Sequence, residues 1–456
     1  MRIQSQFPLS LLSAMANSVA GQGYADNQVS VSRDSALVAA NFPDVNIKLW
    51  SPAFQDPKSV PSGFAQGTAP PTDQDTLGEA RGKKIRVWLQ GGVHGNEPAG
   101  DQGILALLGK LDANSSWAAS VLDKVEILAL PRYNPDGVAY FQRPLATGFD
   151  PNRDHALLQR KQTRDIKKLL NEFDPHILLD AHEYTASFTY GSSKQWIQAQ
   201  DVQVTIFKTL ESNGFRTSPY FTASSSGDTV TLTEPSSISQ AGHNSAGLGQ
   251  ALTFLTETRG IRLADQHFHR RVAAGLLAAE TIVQVAVDNA DLVYNTIENA
   301  RNKFTRGTDD IIVLDQARLT DTTIEFIDTR DGSLVDVPSS RGVHLFGAWS
   351  DVAERLSVLG VKVEVLKKEF NGTVEALKVE SVSLASSRHE GVVHATITTS
   401  ASTRNVRFPP GAYYVSTRQK NAAFAFVTLE PENISSFARY NIIPLDRGDE
   451  YPIFRV

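Results

Sequence analysis

The 456-residue chain contains no cysteine. This absence excludes disulfides, iron–sulfur clusters, thiolate zinc sites and a cysteine nucleophile together. Any metal site must therefore use histidine, aspartate or glutamate, of which the chain has 10 histidines and 50 acidic residues.

Long apolar runs and blocks of positive charge are missing as well. No stretch of about eighteen apolar residues occurs, so the sequence predicts no transmembrane segment. The net charge is -6 from 44 basic and 50 acidic side chains, which argues against nucleic acid as a partner. Hydrophobic residues make up 41% and charged residues 21%, an ordinary globular composition with room for a second domain.

The first twenty residues combine one arginine, a short apolar patch and small residues, a pattern similar to a secretory signal. Acceptor-type triplets for N-glycans begin at Asn114, Asn371 and Asn433. These features predict a lead-in at residues 1–30 and a secreted or periplasmic protein. A cytoplasmic protein with an ordinary amphipathic lead-in is the alternative.

Strand-like and helix-like segments alternate through the first two-thirds of the chain. This alternation predicts an α/β fold with a mixed, largely parallel sheet flanked by helices, in a domain at 31–305. A polar stretch at 222–239 is predicted to be a surface loop, and a single long helix is predicted from Asp265 to Asn302. Short alternating runs later in the chain predict a smaller β-rich C-terminal domain at 306–456.

Metal-type and acid/base residues occur where the predicted strands end. His94 and Glu97 follow the first strand, His182 ends the third, and Glu257 ends the fourth. Ligands of such sheets bind beyond the carboxyl ends of the strands, so we expect these side chains to meet. Two imidazoles and one carboxylate are a common set for a catalytic zinc, and the spare Glu257 can act as a base. Taken alone, Glu97 is equally explained as an acid at a helix N-terminus.

Further motifs accompany these residues. In chain order the set is His94-Gly-Asn-Glu97, Asn134-Pro-Asp-Gly137, Arg143, Asp150-Pro-Asn152-Arg153, Asp180-Ala-His182 and Thr256-Glu257-Thr258-Arg259. Over about residues 84–290, this ordered set resembles the zinc carboxypeptidases of the M14 family. The order is more specific than any one motif.

The resemblance implies a hydrolytic zinc site. His94, Glu97 and His182 are the expected ligands of one zinc per chain. Glu257 is the expected general base, which takes a proton from a zinc-bound water. Glu257 paired with Arg259 in a structural ion pair is the alternative.

The resemblance also implies a substrate-binding set. Arg143 is expected to polarise the scissile carbonyl, while Asn152 and Arg153 are expected to bind the substrate's terminal carboxylate. Asn134 to Gly137 is assigned a structural turn. Asp180 is a candidate partner for the ring of His182, because alternate strand residues share a face.

One family feature is missing. Many members carry a tyrosine upstream of the base, whereas the segment between Phe221 and Glu257 has none, and His243 is the candidate substitute. Asp228 or Glu234 would favour a substrate with a basic terminal residue.

Three functions remain open at this point. The first is a zinc metallocarboxypeptidase acting on peptides. The second is a related amidase or deacylase acting on N-acyl amino acids or cell-wall peptides, and the third is a non-catalytic binding protein on the same fold.

Overall fold

The computed structural model describes residues 31–51, 54, 83–191, 195–204, 207–227, 229–233, 238–307, 320–339 and 350–456. The predicted lead-in at 1–30 lies outside the described residues, as do Asp228 and Glu234.

Strands of the described residues form one central sheet and several small ones. In chain order they are β1 (Ile85–Gly91), β2 (Val125–Leu130), β3 (Ile177–Thr185), β4 (Trp196–Gln198), β5 (Val202–Gln203), β6 (Thr217–Ser218), β7 (Thr222–Ser226), β8 (Thr229–Thr233), β9 (Leu252–Ile261), β10 (Thr320–Asp328), β11 (Leu334–Ser339), β12 (Val363–Val365), β13 (Phe370–His389), β14 (Val392–Phe408) and β15 (Tyr413–Val415).

Helices surround these strands. In the described residues they are α1 (Ala36–Ala39), α2 (Pro98–Ala113), α3 (Ser115–Lys124), α4 (Pro135–Tyr140), α5 (Lys161–Phe173), α6 (Lys208–Ser212), α7 (Gly242–Leu248), α8 (Phe268–Asp288), α9 (Ala290–Arg306), α10 (Ser350–Val358) and α11 (Ala422–Leu429).

The central sheet has the strand order β2-β1-β3-β9-β5-β6. β1 pairs in parallel with β2 and β3, and β3 pairs in parallel with β9, whereas β5 runs antiparallel to β9. The predicted mixed, largely parallel sheet flanked by helices is therefore confirmed. β1 is buried along its whole length, as expected for an inner strand covered on both faces.

Helices α2 and α8 pack against the sheet through the main hydrophobic core. Leu107 and Leu276 are almost completely buried there, and each such leucine stabilises the fold by roughly 1.5–3 kcal/mol. The two helices approach closely where Gly103 faces Gly275, since a Cβ on Gly103 would lie 2.8 Å from the Gly275 carbonyl carbon. This packing fixes α2, whose N-terminus follows the first metal-type motif.

Two sequence predictions of secondary structure are wrong. The predicted long helix is two helices, α8 and α9, which meet at Asn289. Asn289 has non-helical backbone angles, φ -120° and ψ 28°, and asparagine is a poor helix former. The predicted loop at 222–239 contains the β7–β8 hairpin, because Val230 and Leu232 alternate with threonines and are buried.

The C-terminal region adds strand-rich sheets, as predicted. Its largest element is the long antiparallel β13–β14 hairpin, which shares a hydrophobic cluster with α10 and α11. Leu157 and Leu158 of the preceding region are buried in the same cluster. β10 instead pairs with β4. The boundary near residue 305 stays a prediction.

In the described part of the chain, no single helix is long and apolar enough to cross a membrane. In the same residues, α8 and α9 together have the length and composition of a membrane span, but the pair is bent by 87°.

Candidate metal centre and active site

The glycine-rich stretch after β1 brings a turn and a helix unusually close to neighbouring backbone. A Cβ on Gly95 would lie 1.8 Å from the carbonyl carbon of Gly137, so only glycine fits there. A Cβ on Gly100 would lie 2.4 Å from the carbonyl oxygen of Ala181, one residue before His182. The glycines thus allow the start of α2 to lie against β3, with Pro98 as its first residue.

His94, Glu97 and His182 form one buried group. The Nδ1 of His94 lies 2.7 Å from Glu97 Oε1, and the Nδ1 of His182 lies 2.8 Å from Glu97 Oε2. The two Nδ1 atoms are 3.2 Å apart. Potential ligand atoms from all three residues lie within 4.8 Å of one another, so the expected ligands are brought together.

The outward nitrogens of both imidazoles are held by carboxylates. His94 Nε2 lies 3.0 Å from Asp150 Oδ1, and His182 Nε2 lies 3.0 Å from Asp180 Oδ1. Such partners fix ring orientation and make the inner nitrogen a better ligand. The expected contact of Asp180 with His182 is confirmed. A buried two-histidine, one-carboxylate set with oriented rings fits zinc, which takes three protein ligands in catalytic sites.

Glu257 stands beside this group. On the parallel strands β3 and β9 it is the register partner of His182. Burial raises the pKa of Glu257 to about 8; the charge of Glu97 adds to this effect, while His182 and Arg143 oppose it. A carboxyl group with a perturbed pKa next to a metal-type cluster is a candidate acid/base residue.

Asp150 holds the Arg143 side chain next to the metal group. Its Nε and Nη2 donate to Asp150 Oδ2 at 3.0 and 2.7 Å, and its Nη1 lies 3.5 Å from Glu97 Oε1. The side chain keeps 41% of its surface exposed. Arg143 therefore contacts the metal group while part of its side chain stays open to solvent.

Asn152 and Arg153 differ in how the protein uses them. Asn152 is buried, and its Oδ1 accepts from the Gly242 backbone at 2.7 Å. Arg153 is half-buried and donates to the Asn152 carbonyl at 2.8 Å. Among the described residues no carboxylate lies within ion-pair distance of Arg153.

Tyr220 is a candidate site residue that the sequence motifs do not indicate. It follows the edge strand β6, and the nearby Glu257 charge together with burial raises the pKa of its phenol. It lies one residue before the segment in which the family's tyrosine is expected. The candidate substitute His243 lies next to the carboxylate that holds His182, with its Nδ1 3.9 Å from Asp180 Oδ2.

Two motif residues are structural. Asn134 caps α4 by accepting from the Gly137 backbone at 2.9 Å, which confirms its assigned role. Arg259 donates to both carboxylate oxygens of Asp34 at 2.8 and 2.9 Å. The alternative ion pair between Glu257 and Arg259 is therefore wrong.

The fold and this cluster define a metallohydrolase site: a two-histidine, one-carboxylate metal set with a second carboxylate beside it. Residues 58–211 match the zinc carboxypeptidase family, M14. Carboxypeptidase 2 of Trichophyton equinum is 44% identical over 95% of this chain and 96% of that protein. Carboxypeptidase 2 of Trichophyton rubrum is 43% identical over the same shares. The chain therefore belongs to the zinc carboxypeptidase family, which uses zinc.

Solved structures of lower identity also match. A metallo-carboxypeptidase from Burkholderia cenocepacia is 18% identical over 45% of this chain and 58% of that one, with a TM-score of 0.32. Thrombin activatable fibrinolysis inhibitor is 15% identical over 46% and 64% of the two chains, with a TM-score of 0.33.

Proposed function

We propose that the chain is a zinc metallocarboxypeptidase that removes C-terminal residues from peptides, with Glu257 as its general base. The observation that carries the proposal is the register pairing of Glu257 with His182, which supports a role as a base next to the expected metal ligands. Relatives named carboxypeptidase, aligned over nearly the whole chain, support the same reaction.

His94, Glu97 and His182 would hold the zinc, which as a Lewis acid would make water more acidic and polarise a carbonyl. Glu257 takes the proton released when water attacks the scissile carbonyl and delivers it to the leaving amine. Arg143 donates hydrogen bonds to the oxyanion, and one such donor contributes roughly 3–4 kcal/mol.

Exopeptidase specificity is assigned to Arg153. A peptide's terminal carboxylate is a planar anion that a guanidinium can bind through two parallel hydrogen bonds. Arg153 suits this task because the described residues offer it no carboxylate partner. Asn152 can donate only through its uncharged Nδ2, while its Oδ1 accepts from Gly242, so we expect the charged Arg153 to make the larger contribution.

Replacing Arg153 by alanine is expected to reduce the preference for free over amidated C-termini. The reason is that the variant loses the charge partner of the terminal carboxylate. The measurement is kcat/KM on paired peptides with free and amidated ends. Arg306→Ala, which removes an exposed arginine from the last turn of α9, is the matched control and should keep the preference.

An unchanged preference in Arg153→Ala would remove the exopeptidase assignment. N-acyl amino acids also end in a carboxylate, so a panel of blocked dipeptides and N-acyl amino acids is compared in parallel. Higher kcat/KM on the N-acyl amino acids would favour the deacylase function.

We also propose that the protein is exported. In support, Asn114 and Asn371 lie on the surface, where a glycan can be carried, whereas Asn433 is 2% exposed. Expression in a eukaryotic secretory host is expected to give protein in the medium with glycans on Asn114 and Asn371 but not on Asn433. Peptide mapping checks this, and retention of unglycosylated protein inside the cell would contradict it.

A further inference from the structure

The turn of the β13–β14 hairpin carries a glutamate, Glu390, at a position with positive φ. His389 pairs with Val392, so Glu390 and Gly391 form a two-residue turn. Both have positive φ, 50° and 77° respectively. Asparagine, aspartate or glycine is preferred at the first of these positions, and a glutamate there carries backbone strain. Strain of this kind persists where the surrounding structure holds the residue, and it often marks a functional position.

The Glu390 side chain reaches the active-site loop. Its Oε2 accepts a hydrogen bond from the Asp150 backbone N–H at 3.0 Å. The adjacent Gly391 lies against Phe149, since a Cβ on this glycine would be 3.4 Å from Phe149 Cζ. Phe149 in turn carries the Arg160 guanidinium 3.1 Å from its ring centre. The turn therefore contacts two consecutive residues of the loop.

Asp150 contacts both the metal group and Arg143, the residue proposed to bind the oxyanion. One carboxylate oxygen lies 3.0 Å from His94 Nε2 and accepts from the Asn152 backbone at 2.8 Å. The other accepts two hydrogen bonds from Arg143. A shift of the Asp150 backbone would thus change the orientation of a metal ligand and of Arg143 together.

The hairpin is itself fixed to the rest of the C-terminal region. The Ala395 backbone N–H donates to the Arg439 carbonyl at 2.8 Å, and Asn441 donates to the Val393 carbonyl at 2.6 Å. The His394 ring packs edge-on against Tyr440 at 4.5 Å. Glu390 therefore projects from an anchored element.

The C-terminal region also contacts a second segment that leads to the site. Ser435 Oγ accepts from the Ser239 backbone at 3.0 Å and donates to Gln240 Oε1 at 3.1 Å. These residues shortly precede Gly242, which donates to Asn152. Two separate contacts thus join this region to the segments that carry the site.

We propose that Glu390 is a positioning residue of the active site. Its hydrogen bond holds the Asp150 backbone, so that the Asp150 carboxylate keeps His94 and Arg143 in their working orientations. The inference rests on the proposed zinc site, and it assigns the C-terminal region a part in building that site.

The test compares Glu390→Asn with Glu390→Gln. Asparagine suits a turn position with positive φ, so the fold is retained, but its side chain is too short to keep the bond to Asp150. Glutamine keeps the length and a carbonyl acceptor. Zinc affinity by chelator competition, kcat, KM and the thermal midpoint Tm are measured for each. Glu380→Asn, the same change at an exposed glutamate of β13, is the matched control.

We expect Glu390→Asn to weaken zinc binding and to lower kcat, each by about tenfold, a typical effect of losing an outer partner of a metal ligand. Its Tm in the metal-free form should equal or exceed that of the unmodified protein. Glu390→Gln and Glu380→Asn should both resemble the unmodified protein.

Unchanged zinc affinity and kcat in Glu390→Asn would overturn the inference. A Glu390→Gln variant as defective as Glu390→Asn would also overturn it, because charge and not the hydrogen bond would then matter. The inference would also be overturned if Glu390→Asn lost zinc only because its metal-free form had a lower Tm. Failure of the unmodified protein to bind zinc would instead overturn the proposed function, so the two failures are distinguishable.

Discussion

Glu257→Gln is expected to lower kcat by roughly 10²- to 10⁴-fold while one zinc per chain stays bound. Glutamine keeps the shape of the side chain but cannot accept the proton from water. In the metal-free protein burial raises the pKa of Glu257 to about 8. A nearby divalent cation favours the ionised carboxylate, so the base is available in the zinc-loaded protein at neutral pH.

Steady-state kinetics on a blocked dipeptide and zinc content of the same preparation check this expectation. Glu280→Gln serves as the control, because Glu280 pairs with Lys110 on the helical layer and not with the cluster. A variant at Glu257 with the unmodified rate would refute the general-base assignment. Loss of zinc from it would show that Glu257 helps to hold the metal.

His182→Ala is expected to weaken zinc binding by more than about a hundredfold, since outer partners alone typically contribute 10–100-fold. The variant should also lose the stabilisation that zinc confers. That stabilisation is about 4 kcal/mol when free zinc exceeds its Kd a thousandfold. Metal content after dialysis and Tm with and without a chelator measure both effects.

His269→Ala is the matched histidine control. Its ring packs edge-on against Phe54 and lies outside the metal group, so this variant should keep zinc and the Tm shift on chelation. Undiminished zinc in His182→Ala would contradict the ligand assignment.

The sequence alone predicts the central sheet and the metal group for a physical reason. Inner strands such as β1 and β3 are rich in apolar residues and mostly buried, and their ends must meet at one edge of a parallel sheet. Residues such as His94 and His182, 88 positions apart, are therefore expected to meet without any coordinates. The family resemblance adds roles to these residues.

Other features depend on contacts that no local pattern encodes. Tyr220 joins the site because β6 lies two strands from β9, an edge order that alternation of segments does not reveal. Glu390 meets Asp150 across 240 positions of sequence. The break at Asn289 lies in the backbone angles of one residue, which helical periodicity does not report.

The late position of Glu390 and Ser435 in the chain has a consequence for biosynthesis. A ribosome adds about 5–20 residues per second, so roughly 10–35 s pass between synthesis of Glu257 and of Ser435. Until Glu390 is synthesised within that interval, the emerging chain carries every residue of the metal group but lacks both contacts from the C-terminal region. We therefore expect full hydrolytic activity to appear only after translation is nearly complete, which limits removal of C-terminal residues from finished neighbouring polypeptides by unfinished copies.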